Sequence, residues 1–280
     1  MKTWLITGAS RRFGALIAKR ALEVGDNVVA TARNPQTIVD ALGSHRNLLA
    51  LPLDVTNEPQ AREAAAAAVK RFGRIDVLVN NAGFGLLGAV EEATDEEVVR
   101  LYRANVFGLL NVTRAVLPQM RRQRSGHVLN LSSVGGYRAA VGFGVYSSTK
   151  FAVEGLSEAL AGELKPLEIN VTIVEPGYFR TDFLDSQSLM VSPTRIDDYT
   201  DTAGATRERA KIVNHNQPGD PVKLAAAIVD LAGNSDAPLR MPFGSDTVAA
   251  IVAKNAFVAL ELAKWREVSV STDFDAPDKF

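Results

Sequence analysis

Two rhythms of apolar residues alternate along the chain. Short β-prone runs stand at Lys2 to Thr7, Asn27 to Ala32, Leu48 to Leu53, Ile75 to Val79, His127 to Ser133 and Asn170 to Val174. Between them lie longer stretches with apolar residues at helical spacing. Ala15 to Val24 is one, stopped by Gly25; Pro59 to Phe72 is another, closed by Gly73. A long helix is predicted from Thr94, its N-cap, to about Arg122, with Asp95, Glu96 and Glu97 in the first turn. A further helix runs from Tyr146 to about Leu167. Strand followed by helix, repeated six times, implies parallel pairing and right-handed crossovers, hence an α/β doubly wound sheet.

Beyond this repeat the pattern loosens. Residues 183–217 are long, polar and weakly periodic, with a helical turn at Arg207 to Lys211. Pro221 to Ala232 reads as a helix with Asp220 as N-cap and Pro221 in the first helical position. Leu239 to Met241, followed by Pro242, Phe243 and Gly244, reads as a last strand, and Thr247 to Trp265 as an amphipathic helix. Residues 269–280 are expected to be poorly ordered.

Composition narrows the function classes. A net charge of −1 over 280 residues lacks the basic excess of a nucleic-acid binder. The absence of cysteine and the scatter of His45, His127 and His215 leave no disulfide framework and no zinc-type ligand set. Trp4, Leu5 and Ile6 are too short an apolar run for a signal peptide, and no uninterrupted run reaches membrane-spanning length. The expectation is a soluble, cytoplasmic protein with no metal, no nucleic acid and no membrane partner.

The candidate chemistry sits where strands end. Gly8, Ser10, Arg11, Arg12, Phe13 and Gly14 form a loop between a strand and a helix, which offers amide N–H groups to a phosphate. The second strand ends at Thr31, Ala32 and Arg33, where a carboxylate would accept an adenosine 2′-hydroxyl. A guanidinium stands there instead, with Arg11 and Arg12 beside it, which favours a 2′-phosphate and so NADP over NAD. Asn80 to Gly83 close the fourth strand, and Asn105 is a polar residue within a helix. Tyr146 and Lys150, four apart, share a helix face. A free phenol has a pKa of about 10 and is a poor acid or base at neutral pH, so a neighbouring ammonium would tune it downward. Ser133, at the end of its strand, could hold a substrate oxygen against that phenol.

Taken in order, Thr7-Gly8 to Gly14, Asn80-Asn81-Ala82-Gly83, Asn105, Ser133, Tyr146 to Lys150 and Pro176-Gly177 resemble the motifs of the short-chain dehydrogenase/reductase family. The likeness covers about residues 1–181 motif by motif and continues loosely to the end. It implies a Rossmann-type, three-layer αβα fold of about seven strands. NAD(P) would lie across the strand ends. The whole of 1–280 would be one domain, with a substrate lid at about 183–217 and a helical extension at about 245–280. The resemblance makes Tyr146 the acid/base, Lys150 its tuner and a holder of the nicotinamide ribose, and Ser133 the orienter of the carbonyl, with Ser132 as the alternative. Asn105 would hold a water. Asp54 and Val55 would contact the adenine, Asn81, Ala82 and Gly83 the adenosine side, and Pro176, Gly177 and Thr181 the carboxamide.

One departure stands out. The family loop has a glycine where this chain has Arg12, which would lie clear of the cofactor, swing over the 2′-phosphate, or weaken binding. Tyr137, Val141 and Phe143 in the loop after Ser133, with Arg138, and Tyr178, Phe179, Phe183 and Leu184 further on, suggest an apolar alcohol or carbonyl substrate. The size resembles steroid- and retinoid-type members and their bacterial relatives. The competing reading is a non-catalytic NADP-binding regulator or sensor of the same fold. A nucleotide-sugar epimerase or dehydratase would need a larger C-terminal part. The family commonly pairs through two long helices, here about 95–122 and 145–167, so a homodimer or homotetramer is expected.

Overall fold

The computed structural model describes residues 1–234 and 236–274. In chain order the elements are β1 (Thr3–Thr7), α1 (Arg12–Glu23), β2 (Asn27–Ala32), α2 (Gln36–Leu42), β3 (Leu48–Pro52), α3 (Glu58–Phe72) and β4 (Val77–Asn80). They continue with β5 (Gly85–Leu87), α4 (Asp95–Tyr102), α5 (Gly108–Gln123), β6 (Gly126–Leu131), α6 (Val134–Tyr137), α7 (Gly144–Leu164) and β7 (Ile169–Pro176). Last come β8 (Leu189–Val191), α8 (Ala205–Val213), α9 (Pro221–Leu231), β9 (Arg240–Phe243) and α10 (Ser245–Val270).

Seven strands form one parallel sheet in the order β3-β2-β1-β4-β6-β7-β9. Both faces are covered, which is why the inner strands read as unbroken apolar runs rather than alternating ones. The alternation of a strand still decides which face each side chain joins. Trp4 and Ile6 of β1 pack with Ile17 and Ala21 of α1 and Leu224 and Ile228 of α9. Leu5, between them, points to the other layer, with Ala64 and Ala68 of α3 and Val112 and Val116 of α5. The strand order reverses between β1 and β4, which opens a crevice at their C-terminal ends.

Several boundaries differ from the sequence pattern, for identifiable reasons. Thr94 does cap its helix: its Oγ1 accepts from the Glu97 amide at 3.2 Å and the Glu97 carboxylate accepts from the Thr94 amide at 2.9 Å. That helix is interrupted by a π turn at Arg103–Phe107. At its centre Asn105 is turned inward, with Oδ1 accepting from the Phe84 amide at 3.1 Å and Nδ2 donating to the Phe84 carbonyl at 2.9 Å. One insertion thus spends a buried amide on tying α4–α5 to the strand-end loop, a use of π turns that periodicity does not reveal. Helix α1 begins at Arg12 rather than Ala15, and α2 and α6 carried too short a pattern to be read.

Two segments depart further. Residues 183–217, read as irregular apart from a helical turn at Arg207 to Lys211, contain β8, which pairs in parallel with β5, and that turn extends to the helix α8. Helix α10 runs to Val270, past the expected Trp265 and into the stretch expected to be poorly ordered; residues 275–280 of that stretch lie outside the described residues. It is not amphipathic. Thr247 is its one buried residue, and Val252, Phe257, Leu260, Leu262 and Trp265 are exposed around its circumference. Among the described residues no helix is long and apolar enough to cross a membrane.

Candidate active site

The crevice between β1 and β4 opens into a cavity of about 800 Å³. Its floor is the loop that opens with Gly8, packed tightly on Gly14 one layer back. Gly8 has φ +63, and a Cβ on Gly14 would stand 2.4 Å from the Gly8 carbonyl oxygen and 2.6 Å from Asn81 Nδ2. The loop is stitched to the β4 end: Asn81 Nδ2 donates to the Thr7 carbonyl at 2.8 Å and the Gly8 carbonyl at 3.1 Å. Thr7 Oγ1 in turn accepts from the Asn81 and Ala82 amides, each at 3.0 Å. The two motifs are therefore one structure, and the start of α1 lines the opening.

Arg12 adopts φ +50, the left-handed region that a glycine would occupy without strain. Its guanidinium turns away from the loop toward residues 182–188. Nε pairs with Asp182 Oδ1 at 2.7 Å, Nη2 donates to Ser188 Oγ, and the group lies 5.9 Å from the Phe183 ring centroid. Arg11 is drawn the same way, donating to Gln187 Oε1 at 2.7 Å and to its carbonyl at 3.0 Å. Of the three arginines grouped by sequence, Arg33 alone remains at the β2 end without an ion pair among the described residues. It is exposed on the cavity wall, which Asp54 and Val55 also line. The carboxylate of Asp54 is taken by the Thr56 amide and hydroxyl, at 2.9 and 2.8 Å.

At the other end stand Ser133, Tyr146 and Lys150. Ser133 caps α6 through the Gly135 amide at 3.1 Å, and its hydroxyl lies close enough to the Tyr146 phenol to favour the phenolate. Lys150 Nζ donates to the Leu131 carbonyl at 2.7 Å and sits 5.8 Å from the Tyr146 ring centroid. Burial dominates the electrostatics. It pushes the Tyr146 phenol up to about 12, against the opposing pull of Ser133 and Arg12. It pushes the Lys150 ammonium down to about 8, with Glu154 holding it up. The expectation that Lys150 lowers the phenol below its ordinary value does not describe this state: desolvation outweighs every favourable charge. Phe143 and Phe183 close over Tyr146, with ring centroids 6.2 and 5.8 Å away.

Every site residue named from the sequence lines the cavity except Gly14 and Asn105, which stand one layer back against Gly8 and Phe84. Pro176, Gly177 and Thr181 line it beyond β7. On the substrate side Phe143, Tyr178, Phe183, Leu184 and Arg138 face it, whereas Tyr137 does not: its hydroxyl donates to Asn255 of α10 at 2.6 Å. Val141 is exposed outside the lining. Sequence reasoning passed over Asp182, Gln187 and Ser188, which hold the two loop arginines, because nothing in their local pattern marks a partner 170 or more positions away. It also passed over Glu154, although the spacing of four from Lys150 places both on one helix face.

A family model for short chain dehydrogenase matches residues 2–191. The chain belongs to the short-chain dehydrogenase/reductase family. It is 38% identical over 274 residues to the oxidoreductase BOA17 of Botryotinia fuckeliana, with 97% of this chain and 99% of that protein covered. It is 40% identical over 242 residues to the 3-ketodihydrosphingosine reductase of Bacteroides thetaiotaomicron, covering 86% and 87%. A solved short-chain dehydrogenase from Streptomyces avermitilis shares 42% identity and superposes with a TM-score of 0.90 over 98% of this chain and 100% of that one.

Proposed function

We propose that this protein is an NADP(H)-dependent oxidoreductase that interconverts an apolar secondary alcohol and its carbonyl compound, with Tyr146 as the acid/base. The observation that carries this reading is the meeting of the Ser133 hydroxyl, the Tyr146 phenol and the Lys150 ammonium at one wall of a cavity whose floor is the Gly8–Gly14 loop. The cradle fits a dinucleotide. Gly14 has no room for a Cβ, the amides opening α1 are suited to a pyrophosphate, and Arg33 stands uncompensated where a 2′-phosphate would lie. Val55 lines the adenine side, with Pro176, Gly177 and Thr181 at the nicotinamide side. When bound, the nicotinamide supplies the hydride.

The protein's part is proton and position. With its phenol held near 12, Tyr146 is protonated throughout the neutral range and is poised to donate to a carbonyl oxygen. Ser133 presents a second donor to the same oxygen and stabilises the charge that develops on it. Lys150 supplies positive charge beside the ring, and Asn105 fixes Phe84 at the cavity wall. Residues 183–217 act as the lid, with Phe183 laid over Tyr146. The named activity of the Bacteroides relative, a keto-compound reductase, supports a carbonyl substrate with a long apolar portion. A panel of ketones, aldehydes and alcohols scored in parallel with NADPH and NADH tests the proposal. Turnover of apolar carbonyls, preferring NADPH, is the expected result; binding of NADPH with no turnover of any member would favour a regulator instead.

Arg12→Gly is expected to bind NADPH several-fold more tightly and to turn over more slowly. Glycine removes the positive-φ strain, which costs about 1 kcal/mol or more, and frees the loop from its tie to Asp182. The lid loses its anchor at the same time. Fluorescence titration of NADPH beside steady-state kinetics checks both halves; an unchanged dissociation constant would mean that the residue at this position does not bear on the cofactor.

We also propose self-association through the α4–α5 stretch and α7, where Phe107, in the π turn between α4 and α5, and Phe151, on α7, are exposed. Light scattering at micromolar concentration should give two or four times the chain mass of 30.1 kDa. A single-chain mass removes this proposal.

A further inference from the structure

Behind the Ser133–Tyr146–Lys150 group lies a set of charged side chains that the scheme above does not use. Glu154 is one turn beyond Lys150 on α7, Glu175 is near the end of β7, and Arg240 opens β9. Glu154 is buried and Glu175 fully so. Arg240 Nε lies 3.3 Å from Glu154 Oε2 and 3.6 Å from Glu175 Oε1, and its Nη2 lies 3.0 Å from the more exposed Glu158. Glu154 Oε1 accepts a 2.5 Å hydrogen bond from Ser132 Oγ, next to Ser133. Gly136 covers this bond; a Cβ there would stand 2.3 Å from Ser132 Oγ and 3.0 Å from Glu154 Oε1. Neither oxygen of Glu175 accepts a hydrogen bond from any other group among the described residues.

One guanidinium therefore serves three carboxyl groups, two of them buried. An ionised, unbonded carboxylate inside a protein is heavily penalised, and two such groups side by side do not both ionise. We propose that Glu154 and Glu175 hold a single proton between them, and that Glu154 is a positioning residue that fixes the Ser132–Ser133 segment through its hydrogen bond and supports the Lys150 ammonium through its charge. The inference about Ser133 and Lys150 rests on the function proposed above; the shared proton does not. Burial and the neighbouring Glu154 push the Glu175 carboxyl up to about 7, and burial pushes Glu154 up as well. The groups acting on Glu154 are Ser132 from the β6 end, Glu175 from β7 and Arg240 from β9, with Lys150 and Glu158 one turn away on either side along α7.

The two carboxyls make opposite predictions when replaced one at a time. Glu175→Gln forces the full negative charge onto Glu154 and raises the pKa of Lys150. Glu154→Gln leaves the charge on Glu175, which then ionises beside Arg240 and, unlike Glu154, does not hold up the Lys150 ammonium, and so lowers it. Labelling of Lys150 with a small acylating reagent as a function of pH, read by mass spectrometry, measures that pKa without any turnover. The expected displacements are about half a pH unit or more, upward in the first variant and downward in the second. The same displacements are expected in the pH limb of kcat/KM. Infrared difference spectra between pH 6 and pH 9 should show a protonated carboxylic acid band in the wild type that is lost in Glu175→Gln. A wild type without that band overturns the shared proton. A Lys150 midpoint that does not move in folded Glu175→Gln overturns the role of Glu154, and this variant decides the matter alone should Glu154→Gln fail to fold. If no carbonyl compound is turned over at all, the labelling and infrared results still stand apart from that failure.

Discussion

Replacing Tyr146 with phenylalanine is expected to lower kcat by about 10³-fold or more while NADPH affinity stays within about twofold, since proton transfer by a placed side chain contributes about 10²–10⁴ in rate. The substitution removes one oxygen and keeps the ring between Phe143 and Phe183, so packing is conserved. What disappears is the phenol that Ser133 meets. Water does not readily replace it, because the ring is buried under Phe183, and Ser133 alone has no proton source of suitable acidity. The pH dependence of the wild type follows from the same burial. The phenol is held near 12 and the Lys150 ammonium near 8, so below about pH 8 both groups carry their protons and carbonyl reduction is favoured. As pH rises through the Lys150 value, the positive charge beside the ring is lost and the reductive rate should fall. Alcohol oxidation needs Tyr146 as the phenolate, whose share grows with pH, and should gain over the same range. Stopped-flow kinetics of both directions across pH 6–10 checks the sign. A Tyr146→Phe enzyme that retained more than about a tenth of wild-type kcat would remove the residue from the chemistry.

Much of this was legible along the chain because the parallel sheet writes itself as apolar runs that end in functional residues. Thr7, Arg33, Asp54, Asn80 and Ser133 all stand at or just past the C-terminal ends of β1, β2, β3, β4 and β6, so the strand pattern and the site were read together. What escaped was contact between segments without periodicity. The strand β8 is three residues long and exists by pairing with β5, and neither run announces itself in isolation. The tie from Arg11 and Arg12 to residues 182–188 joins two loops, and only folding brings them together. The downward tuning of Tyr146 was inferred from spacing alone. Spacing reports neighbours and says nothing of desolvation, which in this state is the larger effect. The helix α10 carries apolar residues on every side, and a pattern with no stripe does not reveal which side, if any, is covered.

Arg33→Asp should reverse the cofactor preference, changing the ratio of kcat/KM for NADPH over NADH by about 10²-fold or more. The end of β2 is an exposed position that makes no ion pair or side-chain hydrogen bond among the described residues, so the exchange leaves the fold nearly untouched. A charge-assisted hydrogen bond from the guanidinium to a 2′-phosphate is worth about 1.5–3 kcal/mol, and losing it costs about ten- to a hundredfold with NADPH. The new carboxylate adds repulsion toward that phosphate and an acceptor for the 2′-hydroxyl of NADH, so the two effects act in the same direction on the ratio. Arg11 and Arg12 are held by Gln187, Asp182 and Ser188, which leaves them poorly placed to compensate. Raising the ionic strength should weaken NADPH binding in the wild type more than in the variant, because the screened interaction is present only in the former. If Arg33→Asp keeps its preference for NADPH, the phosphate is held elsewhere, and Arg11 or Arg12 must leave residues 182–188 to reach it; Asp182→Asn, which loosens that hold, would then strengthen NADPH binding further.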